Sequence, residues 1–145
     1  MKVKDIIAKK GSTVFTSPIT ISIKEALDNL IMNKVGSLVI VDDEKNPVGI
    51  ITERDILNLA NRDNNWHSLP VQGNLTTNFI VGIPEDHVEY IMSLMTINRI
   101  RHVPILDEGR LAGLISIGDI VKAQLKDIKA ENRYLNDYIM GKYPA

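Results

Sequence analysis

The chain has 145 residues, a length that fits one ordinary domain and can bury a core without disulfide or metal staples. It contains no cysteine, which excludes a disulfide framework, a thiolate zinc site and a cysteine nucleophile, and its 44% hydrophobic and 24% charged residues argue against global disorder. Lys+Arg is 17 against 18 for Asp+Glu, so a net charge of −1 lacks the basic footprint of a nucleic-acid binder, and 5% aromatic residues is few for a base-stacking platform.

Met1 leads directly into Lys2-Val3-Lys4-Asp5-Ile6-Ile7, with no secretory h-region and no apolar run of membrane-spanning length. A soluble cytoplasmic protein without membrane contact is the expectation. Lys9-Lys10-Gly11 reads as a solvated turn, with a lysine beside a glycine as an alternative phosphate contact. An extended lead-in is expected at 14–16. Ser22-Ile23-Lys24-Glu25 is a capping-box signature, and Ile23, Ala26, Leu27, Leu30 and Ile31 form the apolar stripe of the helix it opens. Residues 37–41 and 48–51 are short, branched and apolar, as in buried strands, with a polar turn between them. A second helix begins near Thr52. Asn61-Arg62-Asp63-Asn64-Asn65 is a polar linker, and Trp66 beside it reads as a packing plug.

The same order then recurs. An extended lead-in falls at 79–81, and Asp86 followed by Glu89 is expected to open a helix with the stripe Val88, Ile91, Met92 and Met95. Strands follow at 102–106 and 111–115, and another helix begins near Ser116. Gly49-Ile-Ile-Thr-Glu-Arg-Asp-Ile56 and Gly113-Leu-Ile-Ser-Ile-Gly-Asp-Ile120 share the pattern Gly-apolar-apolar-hydroxyl-x-x-Asp-Ile, 64 residues apart. Leu38–Asp42 and Val103–Asp107 match at 65, so one residue differs in the intervening turn, where a length change costs least. The chain therefore divides into repeats at 1–64 and 65–126 and a C-terminal helix at 127–145. A unit of this size is marginal alone, so the two copies are expected to pack sheet to sheet as a pseudo-twofold pair with clefts between them.

Thr52…Asp55 and Ser116…Asp119 can be read in two ways. As capping boxes, the hydroxyl serves the free N–H groups of the helix start and the acid closes the box. As a binding element, the same helix N-terminus attracts phosphate, the hydroxyl adds a donor, and the carboxylate accepts ribose hydroxyls. Duplication of the full pattern favours binding, although duplicated caps would look alike.

These residues carry a family resemblance. Gly36–Ile56 and Arg99–Val121 resemble CBS domains, and their tandem arrangement is similar to a Bateman module, as in the small stand-alone bacterial CBS-pair proteins. The likeness runs from Val3 to about Ile139. It implies an α+β fold of α/β type, with two repeats each made of a small sheet flanked by helices, plus the C-terminal helix. It also implies an adenosine-containing ligand, AMP or NAD first, with ATP, ADP or S-adenosylmethionine as further options. By that resemblance Asp55 and Asp119 take the ribose, Thr52 and Ser116 the phosphate, and Ile50, Leu114, Val35 and Ile100 flank the adenine. Arg101 and His102 face the phosphates. The first copy departs from this pattern, with Gly36-Ser37 where the second has Arg101-His102, so its phosphate charge is expected to be met by Arg54 or Lys10. Its proline, Pro18, also falls earlier than the family's, so the first lead-in is expected to be rearranged.

Arg101-His102 also reads as a surface pair ending a helix. His67 and His87 lack metal-ligand spacing, and no nucleophile or paired base is placed for catalysis. Val121, Leu125, Ile128, Asn132, Leu135 and Ile139 recur as a short a/d seam that either pairs two chains or packs back on its own domain, with Gly141 and Pro144 ending the helix. The reading is thus a homodimeric, noncatalytic nucleotide-binding regulator of an unidentified downstream protein. The alternative is an interaction module with vestigial clefts that works through its dimer surface and tail helix.

Overall fold

In the computed structural model, residues 1–11 and 13–140 are described. The elements run in the order α1 (Val3–Lys10), β1 (Thr16–Pro18), α2 (Ile23–Asn33), β2 (Ser37–Val41), β3 (Pro47–Thr52) and α3 (Glu53–Arg62). A 3₁₀ turn (Trp66–Ser68) follows, then α4 (Val88–Asn98), β4 (His102–Asp107), β5 (Arg110–Ser116) and α5 (Ile117–Ile139). One sheet has the order β1-β2-β3, with β1 parallel and β3 antiparallel to β2; the other is the antiparallel pair β4-β5.

Every residue of β2 is buried. Successive strand residues point to opposite faces, so a strand buried throughout must be covered twice. Leu38 and Ile40 enter a core with Ile23, Ala26 and Leu30 of α2, and with Ile56 and Leu59 of α3. Val39 and Val41 face the other way, into a cluster with Ile50, Phe79, Leu111 and Leu114 that joins the two copies. The second copy has its own core around Ile91, Met95, Val103, Ile105, Ile115 and Ile120.

The repeat is visible in backbone detail. Lys34 and Arg99 both end their helices in the left-handed conformation (φ 54° in each). The Glu53 N–H donates to Gly36 O at 3.0 Å, and the Ile117 N–H donates to Arg101 O at 2.9 Å. Each second helix is thereby tied at its first residue to the start of its own copy's first hairpin strand.

Packing crosses the 64/65 division of the sequence in both directions. Val3 and Ile6 of α1 lie in the second copy's core. Trp66, Leu69, Val71 and Leu75 lie in or against the first. Backbone bonds fix both exchanges: Val3 N–H to Asp86 O and Lys4 N–H to Pro84 O on one side, Ile23 N–H to Leu69 O and Val71 N–H to Ile21 O on the other.

Several expectations change in detail. The first lead-in strand begins at Thr16 rather than Val14, and Pro18 ends it on the sheet edge, where its missing N–H costs no ladder bond. The second lead-in forms no strand at 79–81; it contributes one parallel bridge, Gly82 to Ile105. Asp86 does not cap α4. Its carboxylate accepts the Ile83 N–H at 2.9 Å, and α4 starts after His87 without a side-chain cap. Ile31, expected in the apolar stripe, is 66% exposed. The α5 seam is not buried on its own domain: Val121, Leu125, Ile128, Leu135 and Ile139 are all exposed. Gly141 and Pro144 lie outside the described residues. Among the described residues no helix is long and apolar enough to cross a membrane.

Gly49 is where the chain leaving the first copy crosses β3. A Cβ there would strike the Leu75 side chain and approach Thr76 O to 2.7 Å. Gly49→Ala should therefore destabilise the fold by about 1–3 kcal/mol, read as a lower urea midpoint at unchanged slope.

Candidate functional site

The two hydroxyl-x-x-Asp motifs sit at the N-termini of α3 and α5, where β3 and β5 deliver the chain to the junction of the copies. Both form complete capping boxes. Thr52 Oγ1 accepts the Asp55 N–H at 3.2 Å, and Asp55 Oδ2 accepts the Thr52 N–H at 2.9 Å. In the second copy Ser116 Oγ accepts the Asp119 N–H at 3.1 Å, and Asp119 Oδ2 accepts the Ser116 N–H at 2.9 Å. Capping does not exhaust these groups. The hydroxyl oxygen accepts while its own O–H remains a donor, and a carboxylate offers about four lone-pair sites. One set of atoms can therefore hold the helix start and also present a donor and an acceptor outward.

The first motif opens on a cleft of about 510 Å³ between the copies. Ile50, Thr52, Arg54 and Asp55 line it from the first copy, and Ile100, Arg101 and His102 from the second. The fold thus crosses the motifs. The first copy lacks a basic pair of its own but faces that of the second, beside Arg54; Lys10 is not among the residues that line this cleft. Arg99, which the sequence reading did not single out, also lines the cleft, because the left-handed residue ending α4 stands at its rim. Phe79 and Ile80 of the second lead-in supply apolar wall. Among the described residues, Arg54, Arg99 and Arg101 form no ion pair within 4.0 Å, so three arginines without a paired carboxylate line this cleft alongside Glu53 and Asp55. Gly36 makes room at the meeting point: a Cβ there would come within 3.3 Å of Glu53 Oε1 and 3.9 Å of His102 Cε1.

The remaining candidates lie elsewhere. Val35 packs against the first core and lines a separate apolar hollow with Leu27 and Trp66. The Leu114 side chain joins the cluster between the sheets. Ser116 and Asp119 form a second position with Lys10, whose Nζ donates to Asp119 Oδ2 and to Leu114 O, each at 2.6 Å. Lys10 therefore serves the second copy's motif and not the first. Among the described residues no group of three His, Asp or Glu side chains is placed to hold a metal ion.

Electrostatics couple the two positions. Burial pushes the His102 imidazole below its ordinary 6.5; Lys10 and Arg101 push the same way, against Asp119 and Glu53. At Asp119 burial acts to raise the carboxyl, but the Lys10 and Ser116 hydrogen bonds and the Lys10 charge outweigh it and hold the group below its ordinary 3.8. A histidine whose folded value is depressed binds fewer protons in the native state than in the unfolded chain. Its stability contribution is full above the unfolded value and is lost as pH falls through the folded one. Urea midpoints should accordingly fall as pH drops from about 7.5 to below 6.5. His102→Gln, which cannot titrate, should show a smaller fall, and identical pH profiles for the two proteins would rule His102 out as the source.

The CBS domain model matches residues 3–62 and 73–126. The CBS-domain protein ATU1752 from Agrobacterium tumefaciens is 37% identical and superposes with a TM-score of 0.82, covering 85% of this chain and 92% of its own. The CBS domain protein PAE2072 from Pyrobaculum aerophilum, complexed with AMP, is 26% identical with a TM-score of 0.75, over 82% of this chain and 89% of its own. The CBS domain pair of protein MJ0100, in complex with 5′-methylthioadenosine and S-adenosyl-L-methionine, is 30% identical with a TM-score of 0.76, over 85% and 98%. Two matched repeats, their shared helix caps and the cleft between them make this chain a member of the CBS-domain family, built as a tandem pair.

Proposed function

We propose that the chain is a noncatalytic regulatory module that binds an adenine nucleotide of the AMP or NAD type in the cleft of Thr52 and Asp55. The observation that carries this reading is the convergence of a helix N-terminus with Arg54, Arg99, Arg101 and His102 on one cleft that also contains a carboxylate with acceptor capacity to spare. The guanidinium groups and the positive end of the helix dipole meet phosphate; Asp55 accepts the ribose hydroxyls. Ile50, Phe79, Ile80 and Ile100 offer apolar surface to the base. The complexes of related proteins with AMP and with S-adenosylmethionine support an adenosine-containing ligand. Between those two, the arginines favour the anionic phosphate over the cationic sulfonium.

Because residues from both copies line the cleft, a ligand bridges them and favours arrangements in which they are close. A partner protein sensing that shift is the regulatory output, and its strength is set by the ligand's differential affinity for the two arrangements. Asp55→Ala together with Asp119→Ala should weaken AMP binding by about a hundredfold or more in calorimetry, with the folded state verified by circular dichroism. Unchanged affinity in a folded double variant would sink the assignment. Wild-type protein should also be stabilised in a thermal shift by AMP or NAD and less by S-adenosylmethionine.

Pairing of two chains through α5 is part of the same reading. The exposed Leu125 and Ile128 of the seam support it. Leu125→Asp with Ile128→Asp should sediment as a monomer where the wild type sediments as a dimer. A monomeric wild type would exclude this pairing.

A further inference from the structure

The Thr52–Asp55 and Ser116–Asp119 positions carry one repeated pattern, yet their acidic residues are not in the same state. Asp119 is paired: Lys10 Nζ lies 2.6 Å from its Oδ2 and 2.6 Å from Leu114 O, so one ammonium group bridges the end of β5 and the first turn of α5. Asp55 has no ion-pair partner among the described residues. The carbonyls differ in parallel. Ile50, at the position of Leu114 in the repeat, gives its O to the Thr76 N–H at 3.0 Å, a backbone bond that puts no charged group beside Asp55. The difference comes from α1. Its first turn is fixed by Val3 N–H to Asp86 O and by Lys2 and Lys4 on Glu85, and its buried Val3 and Ile6 press it onto the second copy. Ile7 lies against Gly113, where a Cβ would come within 2.9 Å of its Cδ1. The helix then ends at Lys10, with the Gly11 N–H closing onto Ile7 O at 2.7 Å. Lys10 is thus delivered to Asp119 by an anchored helix.

We infer that the Ser116–Asp119 position is a second ligand site and that Lys10 acts as a built-in competitor for its acidic group, adding to the advantage that Arg101 and His102 already give the first cleft, so that ligand enters the first cleft in preference. The inference rests on the nucleotide-binding reading. A ribose hydroxyl and the Lys10 ammonium compete for Asp119, and the affinity of the second site is reduced by the fraction of time Lys10 holds it. The first cleft carries no such reduction. One chain therefore takes one ligand molecule well before it takes a second, and whatever detaches α1 from the second copy frees Asp119 for the second site.

Calorimetric titration of the 145-residue chain with AMP tests this. Wild type should bind one AMP per chain at the tighter site, and Asp55→Ala should remove that event. Lys10→Met keeps the apolar stem and removes the ammonium, and it should raise second-site affinity about tenfold or more, carrying the stoichiometry toward two. Lys10→Gln should act in the same direction, and Lys10→Arg should behave as wild type. Asp55→Ala combined with Lys10→Met should bind one AMP through the second site alone. Circular dichroism melts establish that each variant is folded; if Lys10→Met unfolds, Lys10→Gln carries the test. Weaker second-site binding in the Met or Gln variant would make Lys10 a ligand contact and overturn the inference. So would two equivalent sites in the wild type, or wild-type stoichiometry in folded Lys10→Met and Lys10→Gln, while binding that is lost in Asp55→Ala leaves the nucleotide reading intact. Absence of AMP binding in wild type and in both Lys10 variants overturns both readings.

Discussion

A five-residue strand buried on both faces is the constraint on which this structure turns. The helices of the first copy cover one face of β2, and only the second copy can cover the other. Burial of Val39, Val41 and Ile50 is stabilising only while the copies face each other, at roughly 25 cal/mol for each Å² of apolar surface removed from water. Once the sheets are face to face, β3 and β5 must both end at their junction. The helices that follow then start there, with their N–H groups and their caps. The cleft is a consequence of where the sheets stop.

Capping and binding are commonly posed as alternatives for a hydroxyl three residues before an acid. Here the hydrogen-bond inventory makes them compatible. The cap uses the lone pairs of Thr52 and one oxygen of Asp55, and leaves a hydroxyl proton and further acceptor sites free. The stability role and the proposed ligand role thus share residues but not the same lone pairs and protons. Substituting Asp55 changes both, which is why affinity and fold have to be measured on the same variant.

Much of the fold could be read from the chain itself. The repeat gave the hairpins and both motif caps, since buried strands and capping boxes are local patterns that a single copy already displays. The misreadings have local causes as well. Asp86 has the composition of a cap, but a nearer N–H, that of Ile83, claims its carboxylate. Ile31 fits the helical stripe but falls beyond the reach of the core. At the site, Thr52 and Asp55 were legible because their spacing is a motif, whereas Arg99 carried no signal beyond following a helix. Least legible was the crossing of the copies. Nothing in a linear repeat says that Arg101 and His102 line one cleft with the motif of the other copy, or that Val35 turns away into an apolar hollow. Those facts belong to the pairing of the sheets, which periodicity alone does not encode.

The exchange of segments between the copies bears on how the chain is made. Helix α1 is synthesised well before its partners in residues 84–120, so it cannot dock until about eighty more residues have been added. The first copy in turn lacks Trp66, Leu69 and Val71 until the ribosome has passed the linker. Contacts this distant along the chain delay closure of the core and slow folding. A nascent first half would hold an amphipathic helix with nowhere to pack and a strand with one bare apolar face. The halves repeat one pattern, but each lends the other part of its core, and cutting between them should yield two aggregation-prone fragments rather than two small domains.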